Sequence, residues 1–119
     1  MPISAQELVT AAKQQIREID PATAQTQLEG SLVLDVREPA EFEAGHLPGA
    51  ISIPRGVLEF KIEVHPNFQN QQQASIIVYC QTGGRSALAT HTLNQMGFNS
   101  AVSMAGGFKA WTEQGLPLG

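Results

Sequence analysis

Four short apolar runs occur along the chain, and glycine, proline or polar residues border each of them. Runs this short with such borders are typical of strands buried in a sheet. The longer stretches between them mix apolar and polar residues, as amphipathic helices do. Strands that alternate with helices favour a parallel sheet, so the pattern predicts an α/β fold. The predicted strands cover residues 32–34, 51–53, 76–79 and 101–104, and the predicted helices cover residues 39–44, 56–64, 86–96 and 107–114.

The N-terminal segment is predicted to form an additional helix. Ser4 and Glu7 have the spacing of a capping box, and apolar residues follow at helical intervals as far as Ile19. Asp20 and Pro21 then suit the N-cap and first position of the next helix. We therefore expect a helix over residues 4–19, and with it an N-terminal helical extension over residues 1–20 followed by one domain over residues 21–119.

Composition narrows the class of protein and of partner. A chain of 119 residues with 42% hydrophobic and 15% charged residues has the size and composition of one folded domain. Its net charge of −4 gives no general attraction for nucleic acid or for an anionic membrane, and no apolar stretch is long enough to span one. The N-terminus lacks the basic and apolar regions of a signal peptide, so we expect a cytoplasmic protein.

The single cysteine, Cys80, follows the third apolar run and opens a loop with two glycines and an arginine. Gly83 and Gly84 allow backbone N–H groups to turn toward one point, and Arg85 adds a fixed positive charge. The helix predicted from Ser86 points its N-terminal N–H groups at the same region. These features favour a thiolate, the nucleophilic form of cysteine. A buried structural cysteine needs none of them, so we interpret Cys80 as a catalytic nucleophile.

Cys80 has no second cysteine with which to form an internal disulfide. A free thiol fits a reducing compartment. The chain also has no second thiol to resolve a group bound to Cys80, so another molecule must remove whatever the cysteine accepts.

Other uses of this loop fit its spacing less well. The two glycines lack the pattern and the lysine of a phosphate-binding P-loop. The histidines show no metal-ligand spacing, so we expect neither a metal nor another cofactor. Cysteine phosphatases also combine a thiolate, a backbone cradle and an arginine, but their loop is one residue longer than the four residues between Cys80 and Arg85. A smaller cradle favours a sulfur atom carried on Cys80 over a phosphate beside it.

Residues 80–85, Cys-Gln-Thr-Gly-Gly-Arg, match the active loop Cys-x-x-Gly-x-Arg of single-domain rhodaneses, which the chain resembles. Further motifs of that family occur in order at residues 34–38, 45–50 and 106–111, so the resemblance covers residues 22–117. It implies a rhodanese-like three-layer fold, in which helices flank a small, mostly parallel sheet of four to five strands. The N-terminal helix is additional to this minimal domain.

The resemblance implies a sulfurtransferase that works in two steps through a persulfide on Cys80. The donor would be a small sulfur anion such as thiosulfate, or a persulfide, and the acceptor would be cyanide or a thiol. A protein could also supply or accept the sulfur. Arg85 would either bind the donor or brace the loop. The substrate-binding residues of the loop would be Gln81, Thr82, Gly83, Gly84, Arg85 and Ser86.

Three charged residues outside the loop are also candidates. Arg55 follows the second predicted strand, where it could contact substrate or form a surface salt bridge. Asp35 and Arg37 follow the first predicted strand, at the same sheet edge as Cys80. We expect these two to interact with each other or to brace nearby loops, which is a structural role close to the site.

Two other functional classes remain open. In the first, the chain is a sulfur carrier or interaction module that receives sulfur from a desulfurase, with the N-terminal helix as its docking surface. In the second, it is a phosphatase or arsenate reductase, which the length of the cysteine loop disfavours.

Overall fold

Five strands alternate with helices in the computed structural model, which describes residues 2–119. The strands are β1 (Glu18–Ile19), β2 (Leu32–Asp35), β3 (Ile51–Ser52), β4 (Ile76–Tyr79) and β5 (Ala101–Met104). The helices are α1 (Ala5–Lys13), α2 (Pro21–Gln27), α3 (Pro39–Ala44), α4 (Leu58–Val64), α5 (Gly84–Gln95) and α6 (Gly107–Glu113). The strands form one sheet in the order β1-β5-β4-β2-β3, and every pair is parallel.

Helices cover both faces of this sheet. On one face, α4 and α5 contribute Leu58 and Leu93 to an apolar cluster with the strands. On the other face, α2 and α6 contribute Ala24 and Trp111 to a second cluster. Both faces of the central strands are therefore buried, as the short apolar runs predicted. The architecture confirms the predicted three-layer α/β fold.

The strand register brings the candidate residues to one edge of the sheet. Asp35 at the end of β2 pairs with Tyr79 at the end of β4, and Cys80 is the next residue. The neighbouring β3 ends at the same level, since its Ser52 also pairs with Asp35. Ligands of open parallel sheets bind beyond the carboxyl ends of the strands, which is where this cysteine lies.

The helix predicted over residues 4–19 is shorter in the structure, where α1 ends at Lys13. Its predicted capping box is confirmed, since Ser4 and Glu7 exchange both hydrogen bonds. Residues after the helix become the edge strand β1 because the carbonyl groups of Arg17 and Ile19 accept hydrogen bonds from the amides of Ser103 in β5 and of Ala105 just after it. The edge of a sheet needs such hydrogen-bond partners, and Ile19, the last apolar residue of the predicted helix, lies in this strand instead.

Helix α1 packs against α5 beside the cysteine loop. A Cβ atom built on Gly84 would lie 3.7 Å from Val9 Cγ2, so the two helices are in close contact there. Since β1 belongs to the sheet, the residues before position 20 supply both this helix and an edge strand. The division of the chain at residue 20 stays a prediction.

Helix α5 begins at Gly84, two residues before its predicted start at Ser86. The earlier start places Arg85 in the first helical turn. At 12 residues, α5 is the longest helix of residues 2–119. No helix in that range has both the length and the apolar character needed to cross a membrane.

Candidate functional site

The Cys80 sulfur lies in a pocket of backbone N–H groups at the end of β4. The residue is 1% exposed. The amides of Gly83 and Ser86 donate to its Sγ at 3.1 and 3.3 Å. Gly83, with a φ of 108°, is the N-cap of α5 and lets the chain fold back over the sulfur. Two amides and the N-terminus of a helix together stabilise negative charge on this atom.

The rest of the loop offers further hydrogen-bond donors. Within residues 2–119, the amides of Thr82, Gly84 and Arg85 donate to no carbonyl or side chain. The first amides of a helix commonly lack partners in this way. Thr82 is exposed and Gln81 is half-buried, so the donors lie at the outer side of the loop.

The N-terminus of α6 holds the loop from the opposite side. The amides of Phe108 and Lys109 donate to the carbonyl oxygens of Cys80 and Gln81 at 2.8 and 3.0 Å. A Cβ atom on Gly107 would lie 2.5 Å from the Cys80 carbonyl oxygen, so the two segments meet only because this residue is glycine. This contact acts directly on the main chain of Cys80.

Arg85 forms a two-pronged ion pair with a residue that the sequence analysis did not single out. Its Nη1 and Nη2 donate to Glu41 Oε1 and Oε2 at 2.8 and 3.1 Å. This hydrogen-bonded guanidinium lowers the pKa of Glu41 to about 2. Glu41 lies in the first turn of α3, so the pair ties that helix to the loop. The only signal in the sequence was the spacing of Glu38 and Glu41, which indicates a helix start.

Asp35 and Arg37 form the predicted contact, entirely beneath the surface. Arg37 Nη2 lies 2.7 Å from Asp35 Oδ2, and the residues are 2% and 0% exposed. The same guanidinium lies over the Phe108 ring and donates to the carbonyl of Gly45 at 2.6 Å. Its Nη1 lies 3.4 Å from Gln81 Oε1. The pair thereby connects the end of β2 to the cysteine loop and to α6.

Arg55 is directed toward α4 and α5. Its guanidinium contacts Glu59 Oε1 at 3.1 Å and Thr92 Oγ1 at 3.3 Å. Thr92 is six residues beyond Ser86, or roughly 9 Å along a helix. Among residues 2–119, the side chain makes no hydrogen bond to the loop. A surface salt bridge is therefore present, and substrate contact by Arg55 stays a prediction.

The chain matches one known protein family over most of its length. Residues 18–114 match the family model of the rhodanese-like domain. The chain belongs to the rhodanese-like family. Among relatives of this rhodanese-like chain, thiosulfate sulfurtransferase 16 of Arabidopsis thaliana is 42% identical over 99 residues, which are 76% of this chain and 81% of the relative. A sulfurtransferase of Allochromatium vinosum is 30% identical over 106 residues, covering 87% and 94%.

The structure resembles that of a rhodanese-related protein from Thermoplasma volcanium, with 34% identity and a TM-score of 0.77 over 87% of this chain and 97% of that one. A protein of unknown function from Rhodopseudomonas palustris, described as a possible tyrosine phosphatase, has 31% identity and a TM-score of 0.90. The match covers 100% of this chain and 96% of that one. The two relatives by sequence are named as sulfurtransferases, so sulfur transfer is the general activity that the family membership supports.

Proposed function

We propose that this protein transfers sulfane sulfur from thiosulfate or a persulfide donor to a thiophilic acceptor through a persulfide on Cys80. The observation that carries the proposal is the pair of amides, from Gly83 and Ser86, that donate to Cys80 Sγ. Fixed donors of this kind stabilise a thiolate before reaction and need no reorganisation during it. The thiolate is the form that attacks sulfur.

The proposed reaction has two displacements at sulfur. In the first, Cys80 thiolate attacks the outer sulfur of the donor, a new S–S bond forms, and the old bond breaks. Its electron pair leaves with sulfite or with a thiolate, according to the donor. In the second, cyanide or an acceptor thiolate attacks the outer sulfur, and the electron pair of the broken bond returns to Cys80. Every step uses the side chain and backbone of this loop alone.

The burial of the Cys80 sulfur supports a donor whose reacting sulfur is a terminal atom. Cys80 is 1% exposed, so a reacting group must approach end-on, and we take the side of the loop where Thr82 is exposed and Gln81 is half-buried as the mouth of the site. The terminal sulfur of thiosulfate or of a persulfide meets that requirement. After transfer, the outer sulfur would lie toward the mouth, where the amides of Thr82, Gly84 and Arg85 can hold its negative charge.

The charge around the loop supports a persulfide as the preferred donor. Arg85 is the one cation of the loop, and Glu41 already neutralises much of its charge through two hydrogen bonds. A dianion such as thiosulfate therefore finds less attraction than an unpaired arginine would give. Of the two predicted roles of Arg85, bracing the loop is the one that this contact supports. A persulfide of glutathione or of a protein needs no free cation.

We place the proposed activity in the cytoplasm. Cys80 is free and must stay reduced to act as a nucleophile. The proposed acceptors, low-molecular-weight or protein thiols, are present in the same reducing environment. The reaction as proposed requires no cofactor.

The test compares donors and acceptors in steady-state turnover. Purified protein is given thiosulfate or glutathione persulfide with cyanide, and thiocyanate is measured. We expect turnover with both donors, a higher kcat/KM for the persulfide, and loss of both activities in Cys80→Ser with little change in unfolding midpoint. Sulfur uptake without turnover would indicate the carrier instead. Hydrolysis of a phosphate ester without sulfur uptake would indicate the phosphatase and overturn the proposal.

A further inference from the structure

A chain of two buried hydroxyl groups extends from the Cys80 sulfur to the neighbouring strand. Ser86 Oγ lies 3.5 Å from Cys80 Sγ and 2.8 Å from Ser103 Oγ. Both serines are 0% exposed. Ser103 belongs to β5 and lies outside the motifs at residues 34–38, 45–50 and 106–111 and outside the cysteine loop. The two displacements described above do not require it, so its buried hydroxyl needs an explanation.

The position of Ser103 is fixed by the sheet. It pairs with Val78 of β4 on one side and with Glu18 of β1 on the other. Its amide donates to the carbonyl of Arg17 at 3.0 Å. Because side chains alternate along a strand, it projects away from the face that its neighbours Val102 and Met104 occupy, and toward the face that α5 covers. Within residues 2–119, its hydroxyl forms a hydrogen bond with Ser86 only.

A count of hydrogen atoms relates this chain to the charge on the sulfur. With a Cys80 thiol, the three groups carry three hydrogens, one S–H and two O–H. The two contacts of the chain, Cys80 Sγ to Ser86 Oγ and Ser86 Oγ to Ser103 Oγ, use only two of these hydrogens, so the third has no acceptor in the chain. With a thiolate, Ser103 donates to Ser86 Oγ and Ser86 donates to Cys80 Sγ, so both hydroxyl hydrogens are used. A buried donor without an acceptor is costly, and a hydrogen bond to a charged atom is strong. The hydroxyl chain is therefore fully bonded only around a thiolate.

We propose that Ser103 is a positioning residue, which donates to Ser86 Oγ and thereby directs the Ser86 hydroxyl hydrogen at Cys80 Sγ. The inference rests on the proposed role of Cys80 as the nucleophile and adds a residue that acts on it through another. This positioning matters before sulfur uptake and again after sulfur release, because Cys80 Sγ carries the negative charge at both of these points.

The release step shows how this arrangement acts on chemistry. An acceptor thiolate attacks the outer sulfur of the Cys80 persulfide and forms an S–S bond with it. The original S–S bond of the persulfide breaks, and its electron pair moves to Cys80 Sγ. No proton is transferred to Sγ, because the Ser86 hydroxyl and the two loop amides accommodate the new charge by hydrogen bonding. A stabilised leaving thiolate makes this step faster.

Charged groups near the site are the same in any variant of Ser103. They are Arg85 on α5, its partner Glu41 on α3, Glu38 at the N-cap of that helix, Asp35 at the end of β2 with its partner Arg37, and Lys109 in the first turn of α6. A change in the reactivity of Cys80 with iodoacetamide on removal of the Ser103 hydroxyl therefore reports the hydroxyl chain.

The test measures the rate of alkylation of Cys80 by iodoacetamide as a function of pH, without any sulfur donor. We expect Ser103→Ala to move the midpoint of this profile upward by about one pH unit, since a charge-assisted hydrogen bond is lost or weakened. Ser103→Thr keeps a hydroxyl at the same position and should restore the profile. In Thr90→Val the lost hydroxyl is equally buried but has no partner within residues 2–119, so the midpoint should not move.

A double substitution separates positioning from an independent effect. If Ser103 acts through Ser86, then adding Ser103→Ala to Ser86→Ala should move the midpoint no further than Ser86→Ala alone. An unchanged midpoint in Ser103→Ala, with a wild-type unfolding midpoint, would overturn the inference. A full additional shift in the double variant would overturn it as well. Failure of the proposed sulfur transfer would appear as absent turnover in the wild type while these alkylation profiles still shift.

Discussion

Two strand-to-helix turns lie side by side at the carboxyl edge of the sheet, and their backbones are alike. Each follows a buried strand and uses a left-handed glycine as the N-cap of the next helix, with φ 108° at Gly83 and 77° at Gly106. In the turn after β4, the amides point at the sulfur of Cys80. In the turn after β5, they point at the carbonyl groups of Cys80 and Gln81. The same local geometry thus serves a reactive atom in one turn and the main chain in the other.

A helix N-terminus can bind a ligand only where the chain leaves room for one. The donors of α6 are occupied by the main chain of the first turn, so they contribute rigidity. The donors of α5 face one side chain, and three amides of that turn have no partner among residues 2–119. We therefore expect the turn after β4 to carry the reaction and the turn after β5 to hold the first one in place.

The largest loss of stability should come from a substitution that fills the contact between the two turns. Gly107→Ala places a Cβ atom 2.5 Å from the Cys80 carbonyl oxygen, at a residue whose φ is 60°. We expect the free energy of unfolding to fall by about 3 kcal/mol or more, from the clash and the left-handed backbone together. Urea denaturation measures this loss.

Gly56→Ala is the matched control, because a Cβ atom at Gly56 meets nothing within 4 Å and the residue has no positive φ. Its free energy of unfolding should change by less than about 1 kcal/mol. If Gly107→Ala were as stable as this control, the second turn would not support the first as described.

A substitution in the turn after β4 should cause a smaller loss of stability and a larger relative loss of activity. In Gly83→Ala, the new Cβ atom would lie 3.5 Å from the nearest backbone nitrogen, so only the left-handed φ opposes the substitution. We expect a stability loss of about 1–2 kcal/mol. Sulfur transfer should fall by about tenfold or more, because the amide that donates to Cys80 Sγ is displaced. Equal losses of activity in folded Gly83→Ala and Gly107→Ala would remove the distinction between the turns.

The predictions from sequence succeeded where one segment carried the information. The four apolar runs gave four strands, and the glycines after Cys80 indicated its cradle. Contacts between distant segments were not predicted. The partner of Arg85 is Glu41, 44 residues away, and the edge strand β1 exists because the backbone of β5 lacks another partner on that side. Neither relation leaves a periodic pattern in the sequence.

The smallest effect on stability should come from the ion pair that braces the first turn. Arg85 holds the pKa of Glu41 at about 2, below its ordinary value of 4.5. The pair therefore contributes stability that is fully present above pH 4.5 and is lost as the pH falls toward 2. Glu41→Gln removes this contribution, so the stability difference between wild type and variant should shrink over that range. The variant should also gain preference for thiosulfate over glutathione persulfide, because the charge of Arg85 is released.

Glu59→Gln is the matched control for this substitution, since it breaks the Arg55–Glu59 ion pair, which makes no hydrogen bond to the loop among residues 2–119. Its effect on stability should be below about 1 kcal/mol at any pH, and its donor preference should equal that of the wild type. A shift in donor preference in Glu59→Gln would implicate Arg55 in substrate contact.

Peptide mass spectrometry can show whether the turn after β4 holds a persulfide on Cys80. The protein is incubated with glutathione persulfide or thiosulfate, digested without reductant, and the peptide that contains Cys80 is weighed before and after cyanide. We expect this peptide to gain the mass of one sulfur atom and to lose it to cyanide, with one thiocyanate formed for each sulfur lost. A Cys80 peptide that gains no sulfur from either donor would rule out the proposed persulfide.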